Sequence, residues 1–372
     1  MAPSSQESFS NMETTKQRII GFDLARAYAI FGMYIVNYNI VFGNYYDTSL
    51  VGKMLSLFSG NSSTIFVMLA GMGVALMTNR SVYTIEEKKQ LRSIINKRAW
   101  FLFALGLLLF LWWPADILHF YGGYMHIAAL LLFLDKKVYL YAAALAIVIF
   151  HILLVMLPYE TGWNFETLHY TDFWTVEGFI RNTFYNGWNA IFPWLAYFTV
   201  GMYLGRLDWN SFNLQKKIFI LGLLGFASIN FIQLLSNQLP LSDDVKFYLN
   251  ADYLPPFLPF MLSTLGFGLM LISVFMWAGQ RLTENQLAQH LAKTGQMTLT
   301  HYISHLTLGM LLFSLITGKA YTAVMNDSEP VQPIIILMFA TGYFILSYFF
   351  SKWWASKYKN GPFEMLMRKI SG

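Results

Sequence analysis

The amino-acid sequence predicts an all-α, polytopic integral membrane bundle of about ten transmembrane helices, with both termini in the cytoplasm. Three observations predict it. Only 12% of the 372 residues are charged, against ~25% in soluble domains, while 56% are hydrophobic. Apolar runs of spanning length recur along the whole chain, separated by short polar loops. Read loop by loop, 20 of the 25 Lys and Arg residues then fall on one side of the membrane.

Residues 1–17 are polar and Ser-rich and are expected to form a disordered cytoplasmic tail. Residues 18–372 are expected to form a single transmembrane domain. Spans are predicted at 19–42, 54–78, 96–113, 116–134, 138–157, 187–205, 215–237, 256–278, 296–318 and 331–354. They read as helices, because backbone in lipid must bond to itself and no alternating strand pattern is present. The first run is too long, and lacks a small-residue cleavage site, to be a removable signal peptide. The outer loop 158–186 is rich in aromatic residues; Phe173, Trp174, Val176, Phe179, Ile180 and Phe184 have the spacing of a helix lying in the interface, or of an ordered aromatic loop. A second outer loop, 236–256, is acidic and ends in Pro255 and Pro256.

Composition excludes several classes of function. There is no cysteine, so disulfides, thiolate nucleophiles and Cys-ligated metals are ruled out. The net charge of +5 is distributed beside the spans rather than in a patch, which speaks against nucleic acid as a partner. Helical spans favour a plasma or inner membrane.

Ionisable and amide side chains within spans are the candidates for chemistry, because lipid makes them costly. Asp23 and Arg26 lie at i, i+3 in the first span. They read either as a structural ion pair or as a site where Arg26 meets an anion such as a phosphate. Asn37 and Asn39, near the outer end of the same helix, read as interhelical hydrogen-bond glue or as a grip on a substrate oxygen. Asp116 and His119 are one turn apart, the arrangement of a carboxylate that orients a general base, although polar residues at the interface also snorkel to water. His126 follows on the same face. His301 and His305, at i, i+4, suit polar packing or a tunnel lining better than a metal, since no third ligand is evident and no metal site is expected. Arg206 and Arg98 read as cytoplasmic anchors or as phosphate ligands. Together these residues form an inner layer around Asp23, Arg26 and His301 and an outer layer of Asn37, Asp116 and His119.

A set of motifs in chain order resembles a known family. Phe22-Asp23-Leu24-Ala25-Arg26 through Val36-Asn37 is similar to the opening "LDxxRG…LLVN" of the YeiB-like bacterial inner-membrane proteins, which are related to heparan-glucosaminide N-acetyltransferases. The stretch Phe66 to Gly73, Asp116-Ile117-Leu118 with Tyr121, Gly295 to Tyr302, and Gly361-Pro362-Phe363-Glu364 with Arg368 resemble later motifs of the same group. The resemblance implies transfer of an acyl group from a cytoplasmic acyl-CoA, acetyl-CoA first among them, to a glycan or small-molecule acceptor across the membrane. In that reading His119 would be the base, Asp116 its orienter and Asn37 the grip on the reacting oxygen. Arg26, Arg98 and Arg206 would hold the phosphates, with Asp23, His301 and His305 beside them. The partners are then the lipid bilayer, the acyl-CoA and the acceptor, and a homodimer is compatible with this. The sequence departs from the pattern at Ala27, where the family has Gly, and at His301, where it has Asn. The eukaryotic enzymes also carry a catalytic His after the first span, and none occurs between Phe42 and Lys53. The alternative reading is a small-solute transporter with Asp23, His301 and His305 as a proton relay. A membrane protein without turnover is a third.

Overall fold

The computed structural model describes residues 19–80, 82–250, 252–319 and 329–372; the expected tail at 1–17 lies outside the described residues. The first helix, α1 (Ile20–Phe42), is the hub of the bundle, and residues on all its faces are buried. It packs against α2 (Leu50–Ser56) and α3 (Asn61–Met77), and later against helices from the C-terminal third. A spanning helix that is buried all round can carry polar groups, because it never presents them to lipid.

Helix α4 (Ile85–Phe110) starts eleven residues before the apolar run at 96. Thr84 and Glu87 cap it reciprocally, so the charged stretch extends the helix beyond the apolar segment. Then follow α5 (Leu118–Leu131) and α6 (Lys136–Met156). The outer loop contains two short antiparallel strands, β1 (Trp163–Asn164) and β2 (His169–Tyr170), which the all-α expectation did not include. The helical stretch in this loop is the six-residue α7 (Val176–Arg181), continued by a π-turn over Asn182–Asn186. The loop is anchored inward by Phe173, whose ring stacks on Phe110 at 3.6 Å between centroids, while Trp174, Val176 and Ile180 are exposed.

Helix α8 (Ile191–Leu204) is followed by α9 (Phe212–Ser236), α10 (Asp243–Asn250), α11 (Leu258–Arg281) and α12 (Gln286–Gln296). The ninth predicted span is interrupted. It comprises α13 (Thr298–Ser304), a π-turn over His305–Gly309, and α14 (Met310–Thr317). Helices α15 (Pro333–Ala355) and α16 (Pro362–Ser371) complete the chain, the latter short and amphipathic.

By length and composition, 7 helical runs among the described residues can cross a membrane: Leu50–Met77, Ile85–Phe110, Lys136–Met156, Phe212–Ser236, Leu258–Arg281, Thr298–Thr317 and Pro333–Ala355. The other three predicted segments differ for physical reasons. Helix α1 is long enough but carries Asp23 and Arg26. Helices α5 and α8 have 14 residues each, about 21 Å of rise against a hydrocarbon core of about 30 Å. Each is shortened at its start, α5 by irregular chain before Leu118 and α8 by a kink at Phe192.

Helices α3 and α8 touch backbone to backbone. A Cβ added at Gly71 would lie 1.9 Å from the Phe198 carbonyl oxygen, and one at Gly201 would lie 2.1 Å from that of Met68. Small residues permit such an approach in membranes. Gly342, on α15, has nothing within 4 Å of its added Cβ. Gly201→Val is therefore expected to lower the melting temperature in detergent sharply or to abolish folded protein, an overpacking cost of about 1–3 kcal/mol or more. Gly342→Ala should leave it unchanged; equal behaviour of the two variants would refute this packing.

Candidate active site

Two cavities enter the bundle, here named outer and inner after the orientation that the Lys and Arg bias predicts. The outer one, about 270 Å³, is lined by Asn37 and Ile40 of α1, Tyr45 and Tyr46 of the following loop, and Ser59, Ser62 and Ser63 at the start of α3. Trp188, Asn189, Asp252 and Tyr253 complete its polar wall. The inner cavity, about 280 Å³, is lined by Arg26, Arg98, Gln296, Asn360, Glu364 and Arg368. Phe66, Ile117 and Tyr302 line both, so a thin septum separates the two.

The septum is built on Asp116. This carboxylate has no solvent exposure. One oxygen accepts the backbone N–H groups of Leu118 (2.8 Å) and His119 (3.2 Å) and the His119 Nδ1–H (3.1 Å). The other oxygen accepts the Tyr302 hydroxyl at 2.9 Å, and that hydroxyl in turn accepts the backbone N–H of Ile117 at 3.2 Å. Asp116 therefore caps the start of α5 and fixes the Tyr302 ring between the cavities.

His119 and Asp116 are together, as the sequence spacing predicts, but His119 lines neither cavity. Its ring is fully buried against Phe110, Phe120 and Phe173, and its Nε2 has no partner among the described residues.

Asn37 does line the outer cavity, and His305 stands behind it at 2.8 Å. His305 donates from Nδ1 to the His301 carbonyl oxygen at 3.2 Å. In a neutral ring Nε2 is then the acceptor, so the Asn37 side-chain nitrogen is the atom that faces His305. His301 is turned away and bonds Ser351 through Nε2 at 2.8 Å. The two histidines thus engage different partners, and among the described residues no group of three or more His, Asp or Glu could hold a metal.

Arg26 and Arg98 both line the inner cavity. Arg26 stacks over Phe22 and pairs with Asp23 at 3.4 Å, and Asp23 also accepts the Gln296 amide at 2.9 Å. Arg98 donates to the Ser371 hydroxyl at 3.3 Å. Arg206 is elsewhere. It bonds the Thr78 carbonyl and hydroxyl and the Leu132 carbonyl, tying together three loops, and lines neither cavity. His126 likewise bonds within its own helix, to the Gly122 carbonyl at 2.8 Å.

Residues 18–239 match the family model of the heparan-alpha-glucosaminide N-acetyltransferase catalytic domain. The chain belongs to that family. Residues 203–372 match a second model, described as protein of unknown function (DUF418), and the two matches bear out the resemblance carried by the motifs. No curated protein and no solved structure matches the chain.

With the N-acetyltransferase family identified, the residues that sequence reasoning passed over stand out. Tyr302 and Glu364 were inside quoted motifs without a role. Glu364, on α16, accepts the backbone N–H groups of Leu299 (2.7 Å) and Thr300 (3.2 Å) and the Thr300 hydroxyl (2.6 Å). It ties α16 to the first turn of α13, where helix amides are otherwise unpaired, so that α16 walls the inner cavity. Burial pushes the Glu364 carboxyl above the usual carboxylate range, and those hydrogen bonds oppose the shift. Asp252 had no signal beyond an acidic loop, and Trp188 none beyond the start of a predicted span. Glu364→Ala is expected to release α16: hydrogen bonds to a charged group are worth about 1.5–3 kcal/mol each, and water replaces part of that. A protease site placed within α16 should then be cut many times faster; unchanged cutting would sink the tether.

Proposed function

We propose that the protein is a transmembrane acyltransferase, moving an acetyl-like group from cytoplasmic acyl-CoA to a sugar hydroxyl or amine on the opposite side. The observation that carries this reading is the pair of cavities with unlike linings and one shared wall. The inner cavity offers three guanidinium groups, Arg26, Arg98 and Arg368, the side chains suited to phosphate oxygens. The outer cavity holds carboxylates, amides and hydroxyls and, among the described residues, no Lys or Arg. A thioester held at the Phe66–Ile117–Tyr302 septum would face an acceptor in the outer cavity, which is the arrangement that proximity catalysis needs.

In this reading Arg26 and Arg98 hold the coenzyme A phosphates, with Asp23 and Gln296 orienting Arg26. Asn37, held by His305, grips the acceptor. Asp116 positions Tyr302, and His119 supports Asp116 rather than meeting the acceptor. His301 braces the helix that carries His305, and Arg206 fixes the cytoplasmic loops. The bundle has ten membrane-crossing segments, both termini are cytoplasmic, and the membrane is the plasma or inner membrane. A transporter would use the same two cavities but would move solute without cleaving a thioester.

Arg98→Ala is expected to weaken acetyl-CoA binding about tenfold or more, about 1.4 kcal/mol, by calorimetry on protein in nanodiscs. Arg206→Ala should lower thermal stability and leave the affinity near its original value. Unchanged binding in the first variant, or solute flux into liposomes without acyl-CoA, would count against acyl transfer. Because the chain has no cysteine, single cysteines at positions 46 and 357 report the orientation directly. Position 46 should react with an impermeant maleimide from outside cells, and position 357 only after lysis.

A further inference from the structure

The outer cavity contains one charged group whose placement the donor does not explain. Asp252 lies on the connection between α10 and α11, in the cavity wall. Its carboxylate accepts the Tyr45 hydroxyl at 2.8 Å, and Tyr45 is itself hydrogen-bonded to Ser59. Asp252 is solvent-exposed and contributes its side of the cavity lining.

Three residues of the same wall are more than nine-tenths buried and carry a polar atom with no partner among the described residues: Trp188 Nε1, Asn189 Nδ2 and Ser62 Oγ. For Asn189 the reason is visible: Tyr253 donates to its side-chain oxygen at 3.1 Å, which leaves the amide nitrogen as a free donor. Buried polar groups are normally paired, so unpaired ones around a cavity point to a ligand that pairs them. Aromatic rings of Tyr45, Tyr46, Trp188 and Tyr253 stand around these donors. That combination suits a ring that is apolar on its face and hydroxylated at its edge.

We propose that Asp252 takes the proton from the acceptor, and that the outer cavity rejects an anionic acceptor. The proposal rests on the acyl-transfer reading above. The titratable groups facing Asp252 are Tyr45 and Tyr46 from the loop after α1, Tyr253 beside it, and Glu166 from the β1–β2 turn. Among the described residues no His, Lys or Arg lines the cavity, so a carboxylate is the strongest base there that remains charged near neutral pH. An anionic acceptor would meet two carboxylates and no cation.

In the step itself, the acceptor oxygen or nitrogen forms a bond to the acyl carbon as its proton passes to Asp252. The carbon–sulfur bond breaks, and the leaving thiolate takes a proton from water on the inner side. Asp252 then releases its proton to the outer solution. Burial raises the Asp252 pKa, while hydrogen bonds from Tyr45 and from the Tyr253 backbone lower it. A base acts when deprotonated, so the rate falls as pH drops through this raised pKa. The acid limb therefore lies above the ~3.9 of an ordinary Asp.

The test is thiol release from acetyl-CoA by the full chain in nanodiscs, with methyl glucoside, glucosamine, glucose 6-phosphate or water alone as probe acceptors, across pH. Asp252→Asn should lower the rate about 100-fold or more, remove the acid limb and leave acetyl-CoA affinity unchanged. Asp252→Glu should restore part of the rate, and Tyr45→Phe should lower the rate less than Asp252→Asn does while moving the acid limb to higher pH. Wild-type turnover that Asp252→Asn retains, or that is fastest with glucose 6-phosphate, overturns the proposal and leaves acyl transfer standing. No thiol release from the wild type with any probe overturns both.

Discussion

A single buried carboxylate organises the centre of the molecule. Asp116 has no contact with solvent and receives four donors from its own turn and from Tyr302, 186 residues away. A charged or polar group in such a place is tolerated only when its hydrogen bonds are made, and one lost partner costs more than one gained partner returns. The start of α5, the orientation of His119 and the position of Tyr302 are therefore set together. Since Tyr302 forms part of the wall common to both cavities, the separation of inner from outer space depends on the same group. Substituting it would alter the barrier between two compartments as well as a helix cap.

The spans were legible in the sequence because lipid imposes a length and a hydropathy that each segment must meet on its own. Where a segment is surrounded by protein that requirement lapses. Helices α5 and α8 are short, and the chain leading into α8 is irregular, because neighbouring helices rather than lipid cover them. The i, i+3 spacing of Asp116 and His119 foretold their contact. It could not foretell that Phe110 and Phe173, from two distant segments, would close over the imidazole. Arg206 is a similar case: an arginine at the end of a span reads equally as anchor or ligand, and only the positions of Thr78 and Leu132 decide it. Asp252 carried no periodicity at all. A single carboxylate in a polar loop looks like any solvated one until Tyr45, far earlier in the chain, is found donating to it.

Helix α1 shows how a buried span can serve two environments. Arg26 lines the inner cavity and Asn37 the outer, on the same rod. Each is held by a residue from the α12–α14 region: Gln296 bonds Asp23, the ion-pair partner of Arg26, and His305 bonds Asn37. The π-turn that begins at His305 locally widens the helix there, a feature common where a helix lends a side chain to a site. The two contacts couple α1 to the end of α12 beside the inner cavity and to the π-turn after α13 beside the outer one.

The rise of α1 also limits what kind of donor the bundle suits. Eleven residues separate Arg26 from Asn37, about 16 Å along the axis. A donor whose anionic head rests among Arg26, Arg98 and Arg368 must present its reactive carbon at the septum, well removed from that head. A thioester on a long uncharged arm separates charge from reaction centre by its own length. Under the acyl-transfer proposal, a donor with a long uncharged arm suits this separation of arginines from septum better than a smaller activated acyl group.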